Sequence, residues 1–319
     1  MPFLGRLRMS PLVVLVVAAI GGSAPRIAAA GAILVTNNGN GTVGEWSTTG
    51  SLVNGSLITG LNSPNGIVAG GGFIYVANNG NNTVGKYDSA GQVVDASFIT
   101  GLNGPTNLLF AGDALYVMNQ GNAKIGTYSV TTGSAVNPSF VTLTNSTPVA
   151  MAISGTSLFV LAQSTGGHLN NFVVEYSSSD GSFIGDIIPT LNANAWGLAA
   201  SGTSLYVSYY VGNGGYISQY TTAGTMVSEK LIDNLDAPRN LAISGSSLYV
   251  YVVASHVIGE YDLSGSAINA SLVTGLSGTA ENFTVVPVPE PASGIALSLG
   301  AAGLLFLARR QGLRFRVAV

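Results

Sequence analysis

The chain has no cysteine in its 319 residues. Disulfides, thiolate metal sites and cysteine nucleophiles are therefore excluded, and the fold has to be stabilised by burial of apolar surface. Charge is also scarce, because charged residues make up only 8% of the chain and most of the 11 basic residues lie near the two termini. The central part has no basic face to neutralise phosphates, so we expect no nucleic-acid partner.

Apolar and turn-forming residues are abundant instead. Hydrophobic residues account for 47% of the sequence, and 43 residues are glycine. This balance is too apolar for intrinsic disorder and too rich in turn formers for a helical protein, so it predicts an all-β fold. The length fits one large β domain or two domains of ordinary size.

The first 30 residues have the three-part pattern of a secretory signal peptide. Arg6 and Arg8 precede an apolar run over residues 12–20, and three alanines at 28–30 offer a small-residue cleavage site. The apolar run is too short to span a bilayer comfortably. We therefore predict a cleaved signal peptide over residues 1–30, in preference to an uncleaved anchor, and export of the mature chain.

The last 32 residues, 288–319, form a second distinct segment. A Pro-Glu-Pro sequence at 289–291 precedes an uncharged, mostly apolar stretch over 292–308, which a pair of arginines follows. At 17 residues this stretch is at the lower limit for a transmembrane helix, and the arginines would hold its end on the cytoplasmic side. The alternative is an ordinary single-span anchor with a proline-rich hinge.

The order of these three parts resembles the PEP-CTERM sorting domain, in which Pro-Glu-Pro precedes a hydrophobic helix and a basic end. The resemblance implies that Pro289, Glu290 and Pro291 form the recognition element and that Arg309 and Arg310 form the basic end. It also implies a partner, because an exosortase-type membrane enzyme processes such tails in bacteria that often make extracellular polysaccharide. The tail has to be set aside before the fold is considered.

Between the two ends the sequence repeats six times. A short apolar strand recurs, and its valines are 41, 41, 43, 47 and 43 residues apart. This period matches one four-stranded blade of a β-propeller, and the glycine content disfavours helical repeats of similar length. The six copies are Ile33-Leu34-Val35, Ile74-Tyr75-Val76, Leu115-Tyr116-Val117, Leu158-Phe159-Val160, Leu205-Tyr206-Val207 and Leu248-Tyr249-Val250.

Each unit supplies three further strands. One ends on an aromatic residue that we interpret as packing, such as Tyr87; the next follows a glycine turn; and the last usually follows a proline, such as Pro105 or Pro238. Four strands in each of six units predict an all-β, six-bladed propeller over residues 31–287, followed by the single hydrophobic helix of the tail.

The repeats resemble NHL-type propeller repeats over residues 33–286. The resemblance implies that the segment after the proline is the innermost strand and that the next three strands step outward. In that register the chain enters its first blade one strand late, and the last strand, 282–286, completes that blade. This closure would join the ends of the ring and remove an open sheet edge.

The mouth of the central channel is the expected ligand site, because the loops that lead into the innermost strands converge there. The innermost strands begin at Gly66, Asn107, Ala150, Gly197, Asn240 and Asn282. The amides of Asn107, Asn240 and Asn282 are therefore candidate ligand-binding groups for a hard cation or a sugar hydroxyl. Asparagine is also a routine residue at strand entries, and we favour that interpretation.

An enzyme is the alternative, because some propeller lyases and lactone hydrolases use His or Glu with a metal in the channel. His168 and His256 fall in different blades and at different points of the repeat. Glu45, Glu175 and Glu260 precede the aromatic residue where other copies have Lys, Thr or Gln, which indicates a solvated outer face rather than metal ligands. We therefore expect no catalytic residue, no metal and no cofactor.

Together these features predict an exported, non-enzymatic binding or scaffold protein of the cell envelope, at the cell surface or in the extracellular matrix. Its expected partners are an exosortase-type enzyme, the membrane through the helix at 292–308, and extracellular polysaccharide or surface proteins. The polysaccharide follows from the sorting-domain resemblance and not from a residue of the propeller. The alternative is a propeller hydrolase or lyase with a metal site in the channel.

Overall fold

The computed structural model describes residues 31–286, with the exception of 167–169, 192–193, 213 and 278–279. The predicted signal peptide and the predicted sorting tail, with its Pro-Glu-Pro motif, helix and arginines, lie outside the described residues. Within the described part, no helix is long and apolar enough to cross a bilayer.

Twenty-four strands form in the described part of the chain, four in each of six sheets. In chain order they are β1 (Ala32–Asn37), β2 (Thr42–Ser47), β3 (Leu52–Ile58), β4 (Pro64–Gly70), β5 (Phe73–Asn78), β6 (Thr83–Asp88), β7 (Val93–Ile99), β8 (Pro105–Ala111), β9 (Ala114–Asn119), β10 (Lys124–Ser129), β11 (Ala135–Thr142), β12 (Ser146–Ser154), β13 (Ser157–Ser164), β14 (Asn171–Ser177), β15 (Phe183–Leu191), β16 (Asn194–Ser201), β17 (Ser204–Val211), β18 (Gly214–Thr221), β19 (Met226–Leu235), β20 (Pro238–Ser244), β21 (Ser247–Val252), β22 (Val257–Asp262), β23 (Ala267–Val273) and β24 (Ala280–Val286). Two short 3-10 turns, Asn79–Asn81 and Gln120–Asn122, follow β5 and β9.

Each sheet is one blade of a propeller, and its strands pair antiparallel from the centre outward. The strand orders of blades 1 to 6 are β24-β1-β2-β3, β4-β5-β6-β7, β8-β9-β10-β11, β12-β13-β14-β15, β16-β17-β18-β19 and β20-β21-β22-β23. The predicted all-β, six-bladed propeller is confirmed.

Blade 1 is completed by the last described strand of the chain. In the pairing of β24 with β1, Val286 lies opposite Ala32, and Phe283 lies opposite Val35. The Phe283 side chain is 4% exposed and packs in a cluster with Tyr251 of blade 6. The predicted ring closure is confirmed, and β24 begins two residues before the segment expected from the sequence.

The second strand of every blade is buried on both faces, because a neighbouring blade packs against each. This explains why these strands are continuous apolar runs and do not alternate. In four of the blades, the aromatic residue of the third strand covers a glycine that lies two positions before it. A Cβ at Gly44 would lie 2.6 Å from the Trp46 ring, and a Cβ at Gly85 would lie 2.8 Å from the Tyr87 ring. The interpretation of these aromatic residues as packing is confirmed.

The residue before that aromatic lies between blades, so the predicted solvated outer face was wrong. Glu45 is 6% exposed and Lys86 is 7% exposed. The Lys86 ammonium donates a hydrogen bond of 2.9 Å to the carbonyl of Val130 in the next blade. Glu175 and Glu260 accept hydrogen bonds from serine hydroxyls at 2.5 and 2.7 Å. Polar groups of this kind can be buried because hydrogen bonds replace their contacts with water.

The outermost strands keep one free edge, and their pairing with the third strand shifts register in all six blades. The side-chain oxygens of Asn54, Asp95, Asn137 and Asn269 each accept a hydrogen bond from the backbone N–H two residues later. The pairing register shifts beside each of these residues. An interrupted edge is a poorer template for strands of other chains, which limits edge-to-edge aggregation.

Buried tyrosines predict a loss of stability in alkali. Burial raises the pKa of Tyr75 and Tyr116, whose hydroxyls donate to carbonyls of the next blade. Burial together with the charge of Glu260 raises the pKa of Tyr249 to about 12. Unfolded phenols ionise near pH 10, so the stability linked to these groups is complete below about pH 10 and is lost as the pH rises toward about 12.

Lys86 has the opposite effect on the free energy of unfolding. Burial lowers its pKa, so the folded state loses this proton at a lower pH than the unfolded state does. It is one group against several tyrosines, so we expect a net loss of stability. The urea midpoint of the full-length chain should fall clearly between about pH 9 and pH 11.5. An unchanged midpoint over this interval would contradict the prediction.

Candidate functional site

The six innermost strands run in the same direction around a central channel. They are β4, β8, β12, β16, β20 and β24, and each pairs with one neighbour only. Their other edges therefore face the channel. We name the end at which these strands begin the entry face and the opposite end the exit face.

The channel contains a cavity of about 240 Å³ that is lined by the innermost strands of all six blades. The lining is mostly aliphatic, with Leu109, Ala152 and Leu241 among its members, and the lining residues that the structure describes include no acidic, basic or histidine side chain. In the described part of the chain, no three His, Cys, Asp or Glu residues form a group that could hold a metal ion. The volume is below the roughly 300–1,000 Å³ of typical small-molecule pockets.

The three predicted asparagines do not share one environment. Asn107 and Asn282 line the cavity, whereas Asn240 is not part of its lining. The side-chain oxygen of Asn282 accepts a hydrogen bond of 2.8 Å from the backbone N–H of Phe283. This local bond matches the role of asparagine at strand entries.

Two hydroxyl groups connect the innermost strands of neighbouring blades near the entry face. The Ser208 hydroxyl accepts a hydrogen bond from the Gly197 N–H at 2.8 Å and donates one to the Arg239 carbonyl at 2.5 Å. The Thr36 hydroxyl makes the equivalent bridge in blade 1, with an N–H of β24 at 3.0 Å and a carbonyl of β4 at 2.7 Å. Both residues occupy the same position of the repeat, so each bridge fixes one pair of blades at the channel mouth.

Glycine is required where these innermost strands touch. A Cβ at Gly197 would lie 2.0 Å from the carbonyl oxygen of Arg239. A Cβ at Gly66 would lie 2.9 Å from the Cα of Asn107 in the next blade. The backbones of adjacent blades are therefore in direct contact, which narrows the mouth of the channel.

Each innermost strand has a bulge near the entry face, and the equivalent bulge residue has a described side chain in five of the six. The pairing with the second strand shifts register there in β4, β8, β12, β16 and β20. We name these residues the mouth ring: Asn65, Thr106, Val149, Trp196 and Arg239. The sequence analysis placed the candidate ligand-binding position one residue later in each copy, directly after the mouth-ring residue. The signal that identifies the mouth ring is its place directly after the proline, which four of the five copies have.

Trp196 and Arg239 form an aromatic–cation pair in the mouth ring. The guanidinium carbon of Arg239 lies 4.7 Å from the centroid of the indole, and Trp196 is 40% exposed. Arginine stacked on tryptophan is a favourable cation–π arrangement. An exposed indole beside hydrogen-bond donors is typical of binding surfaces, because it combines apolar area with polar contacts.

A tyrosine cluster lies in blade 5, the blade that contains Trp196. The rings of Tyr209 and Tyr216 stack with their centroids 4.9 Å apart, and Tyr210 is 37% exposed. The Lys230 ammonium lies 5.4 Å from the Tyr216 centroid and forms an ion pair of 3.4 Å with Asp233. Burial and nearby acidic groups raise the pKa of Tyr216, so its hydroxyl stays protonated. Blade 5 therefore adds a second exposed aromatic surface to that of Trp196.

The two faces differ in side-chain chemistry. Apart from three residues in outermost strands, the asparagines that the structure describes lie at the entry face, in connections or within three residues of a strand end. Turns of the exit face carry Asp88, Asp113, Asp180 and Asp262. The entry face is rich in amides and has charges of both signs, whereas the exit face is acidic.

The histidines considered for an enzyme are described only in part. His256 lies in the turn between β21 and β22 at the entry face, with φ 55°, and its buried Nδ1 has no hydrogen-bond partner. His168 lies outside the described residues.

No protein-family model matches the sequence, and no curated protein shows significant similarity to it. Solved structures are similar in fold. A chain of the nidogen/laminin complex superposes with a TM-score of 0.63 at 11% identity and covers 80% of this chain and 98% of its own length. Hydrazine synthase of Kuenenia stuttgartiensis gives a TM-score of 0.61 at 17% identity, with coverages of 80% and 92%.

A gluconolactonase of Xanthomonas campestris gives a TM-score of 0.55 at 14% identity and covers 69% of this chain and 78% of its own length. The three proteins differ in function, so the similarity applies to the fold and not to the site. The described part of the chain is a six-bladed β-propeller that resembles the NHL-like and gluconolactonase-type folds.

Proposed function

We propose that this chain is an exported binding or scaffold protein of the bacterial cell envelope, which its C-terminal tail sorts to the surface. The channel lining supports a binding role, because its described residues include no acid, base or histidine, whereas the mouth ring offers the exposed indole of Trp196. The expected ligands are extracellular polysaccharide or another surface protein.

The position of the two ends of the propeller carries this proposal. Val286 at the end of β24 lies opposite Ala32 at the beginning of β1, so the propeller begins and ends at the exit face. A seven-residue strand is about 20 Å long, and this length separates both ends from the entry face. A tail that follows Val286 therefore starts on the side opposite Trp196 and Arg239, which leaves the mouth ring directed away from the anchor.

The sorting step rests on the tail sequence. Pro289, Glu290 and Pro291 would be recognised by an exosortase-type enzyme, and the stretch over 292–308 would hold the protein in the membrane until that enzyme acts. Arg309 and Arg310 would keep the end of this stretch on the cytoplasmic side.

A single introduced thiol tests display at the surface, because the natural chain contains none. Asn122 is exposed in a connection of the entry face. In intact cells that produce the full-length Asn122→Cys variant, a membrane-impermeant maleimide should label the protein to the same extent as in broken cells. The measurement is the gel shift of the labelled protein. Ser246→Cys, in an exposed turn of the exit face, is the matched control and should react more slowly while the tail is attached.

Labelling of Asn122→Cys that requires cell disruption would overturn the proposal of surface display. The mass of the labelled protein tests sorting in the same experiment. The mature protein should lack residues 292–310, whereas a Glu290→Ala variant should retain them. Retention of this segment in the natural protein would indicate a plain membrane anchor instead.

A further inference from the structure

We propose that Trp196 and Arg239 form a saccharide-binding subsite for a neutral polysaccharide of pyranose units. This inference rests on the proposed binding function and names the ligand class and the residues that hold it. Four observations support it: the geometry of the pair, the hydrogen bonds that hold its backbones in place, the neighbouring residues and the size of the channel.

The pair presents an open aromatic surface. Trp196 is 40% exposed although it is a large apolar side chain. The Arg239 guanidinium lies over the indole, 4.7 Å from the ring centroid, and the pair still leaves 40% of Trp196 exposed to a ligand. The C–H groups on one side of a pyranose ring form an apolar patch that can stack on an indole. Its hydroxyls remain at the edge, within reach of the five N–H donors of a guanidinium.

The backbone holds the pair in place before a ligand arrives. Trp196 lies in a bulge next to Gly197, whose N–H donates to the Ser208 hydroxyl at 2.8 Å. The same hydroxyl donates to the carbonyl of Arg239 at 2.5 Å. One serine therefore connects the backbones that carry the two side chains, although they belong to different blades. Preorganisation of this kind reduces the entropy that is lost on binding.

The surroundings favour a neutral ligand that is rich in hydroxyl groups. The mouth ring continues with the half-buried Asn65, and most asparagines of the described chain lie at this face. Amides donate and accept hydrogen bonds, which suits hydroxyls that do both. Arg239 is the one cation of the mouth ring, and Asp233 and Asp236 at the same face oppose a polyanion.

The channel is too small to admit a polymer. Its cavity of about 240 Å³ is below the volume of ordinary small-molecule pockets and is lined mainly by aliphatic residues. A polysaccharide would therefore lie across the entry face and contact Trp196 from outside. Tyr210, which is 37% exposed, is a second exposed aromatic residue at the same end of blade 5, where its backbone pairs with Asn194.

Affinity electrophoresis of the full-length chain tests the subsite. The probes are dextran, mannan and xylan as neutral polymers, alginate as a polyuronate, and the extracellular polysaccharide extracted from the producing bacterium. We expect retardation by at least one neutral polymer or by the extracted polysaccharide. Trp196→Ala should weaken this binding about tenfold or more, as for a central aromatic contact. Phe183→Ala removes a more exposed aromatic side chain away from the entry face and should leave the binding unchanged.

Tryptophan fluorescence gives a second measurement, which compares one protein with and without the polymer and therefore does not depend on differences in folding between two variants. The chain has two tryptophans, so Trp46→Phe leaves Trp196 as the single indole. Its emission should shift on addition of the bound polymer. Arg239→Gln should weaken the binding of a neutral polymer by a smaller factor than Trp196→Ala, because stacking on the indole is retained.

Equal binding by the natural chain and Trp196→Ala, or no fluorescence change with any probe, would overturn the subsite. Binding of alginate alone would overturn the assignment to a neutral polymer. If Trp196→Ala has no effect while Asn122→Cys is labelled on intact cells, the subsite fails and the proposed function stands. If the subsite binds a neutral polymer but Asn122→Cys is not labelled on intact cells, surface display fails and the subsite stands.

Discussion

Deletion of residues 282–286 from the full-length chain is expected to abolish the folded monomer. These residues supply the innermost strand of blade 1 and pair with β1. Their loss removes Phe283 from its cluster with Tyr251. It also removes the two hydrogen bonds that the Thr36 hydroxyl makes with the backbone of Asn282. Removal of a buried phenylalanine side chain alone costs about 3–5 kcal/mol, a large share of the roughly 5–15 kcal/mol that stabilises a typical domain.

Size-exclusion chromatography and thermal unfolding followed by circular dichroism measure this effect. The deleted chain should aggregate or show no cooperative transition. A chain that stops after Pro287 lacks the tail but keeps β24, and it should stay folded and monomeric. Phe283→Ala is a graded version that should lower the free energy of unfolding by about 3–5 kcal/mol. A deleted chain that is monomeric and as stable as the control would show that the ring does not depend on its closing strand.

Gly133→Ala is expected to destabilise the propeller far more than a surface glycine substitution. One glycine per blade occupies the turn before the outermost strand, with φ between 71° and 89°, against a carbonyl of the preceding blade. A Cβ at Gly133 would lie 2.0 Å from the carbonyl oxygen of Phe98. The left-handed conformation costs alanine about 1–2 kcal/mol, and forced separation of packed groups costs about 1–3 kcal/mol more.

Gly112→Ala is the matched control. Gly112 also has a positive φ, of 57°, but no atom lies within 4 Å of a Cβ at this position. The free energy of unfolding of Gly112→Ala should therefore fall only by the cost of the left-handed conformation, about 1–2 kcal/mol. Urea unfolding of both variants gives the difference. Equal losses would show that the turn does not interlock with the preceding blade.

The same turn recurs six times, which makes it a general feature of blade packing. The glycines are Gly50, Gly91, Gly133, Gly181, Gly224 and Gly265, and each faces the carbonyl of the blade before it. Gly50 faces Leu272 and thereby joins blade 1 to blade 6. Glycine is needed at these positions for its positive φ and for the absence of a side chain.

Much of the fold was predictable because the repeat is local. The spacing of Val35 and its five counterparts indicates six units, and each unit is a supersecondary structure whose strands are neighbours in sequence. Closure by β24 was also predictable, since the first copy lacks an innermost strand and an extra one follows the last copy. The strands that contain Glu45 and Lys86 were predicted correctly, but the burial of these two side chains was not.

That burial depends on contacts between blades. Lys86 donates to Val130, which lies 44 positions away, and no local pattern shows that the next blade provides an acceptor there. Side chains of the same repeat position therefore have different environments. The variation of charge among the copies was interpreted as solvent exposure, but Lys86 is bonded across the interface and Glu175 and Glu260 are bonded to serines of their own blades.

The candidate site also depends partly on local sequence and partly on contacts between blades. The sequence by itself determined the repeat, the number of blades and the strand that closes the ring, because strand period and turn chemistry are encoded within each copy. Only the tertiary structure decided that Trp196 and Arg239 meet. A register shift in each innermost strand moves these residues to the mouth, and the Ser208 hydroxyl joins their backbones across two blades. These contacts depend on how the blades close into a ring, and that geometry cannot be seen in any single repeat.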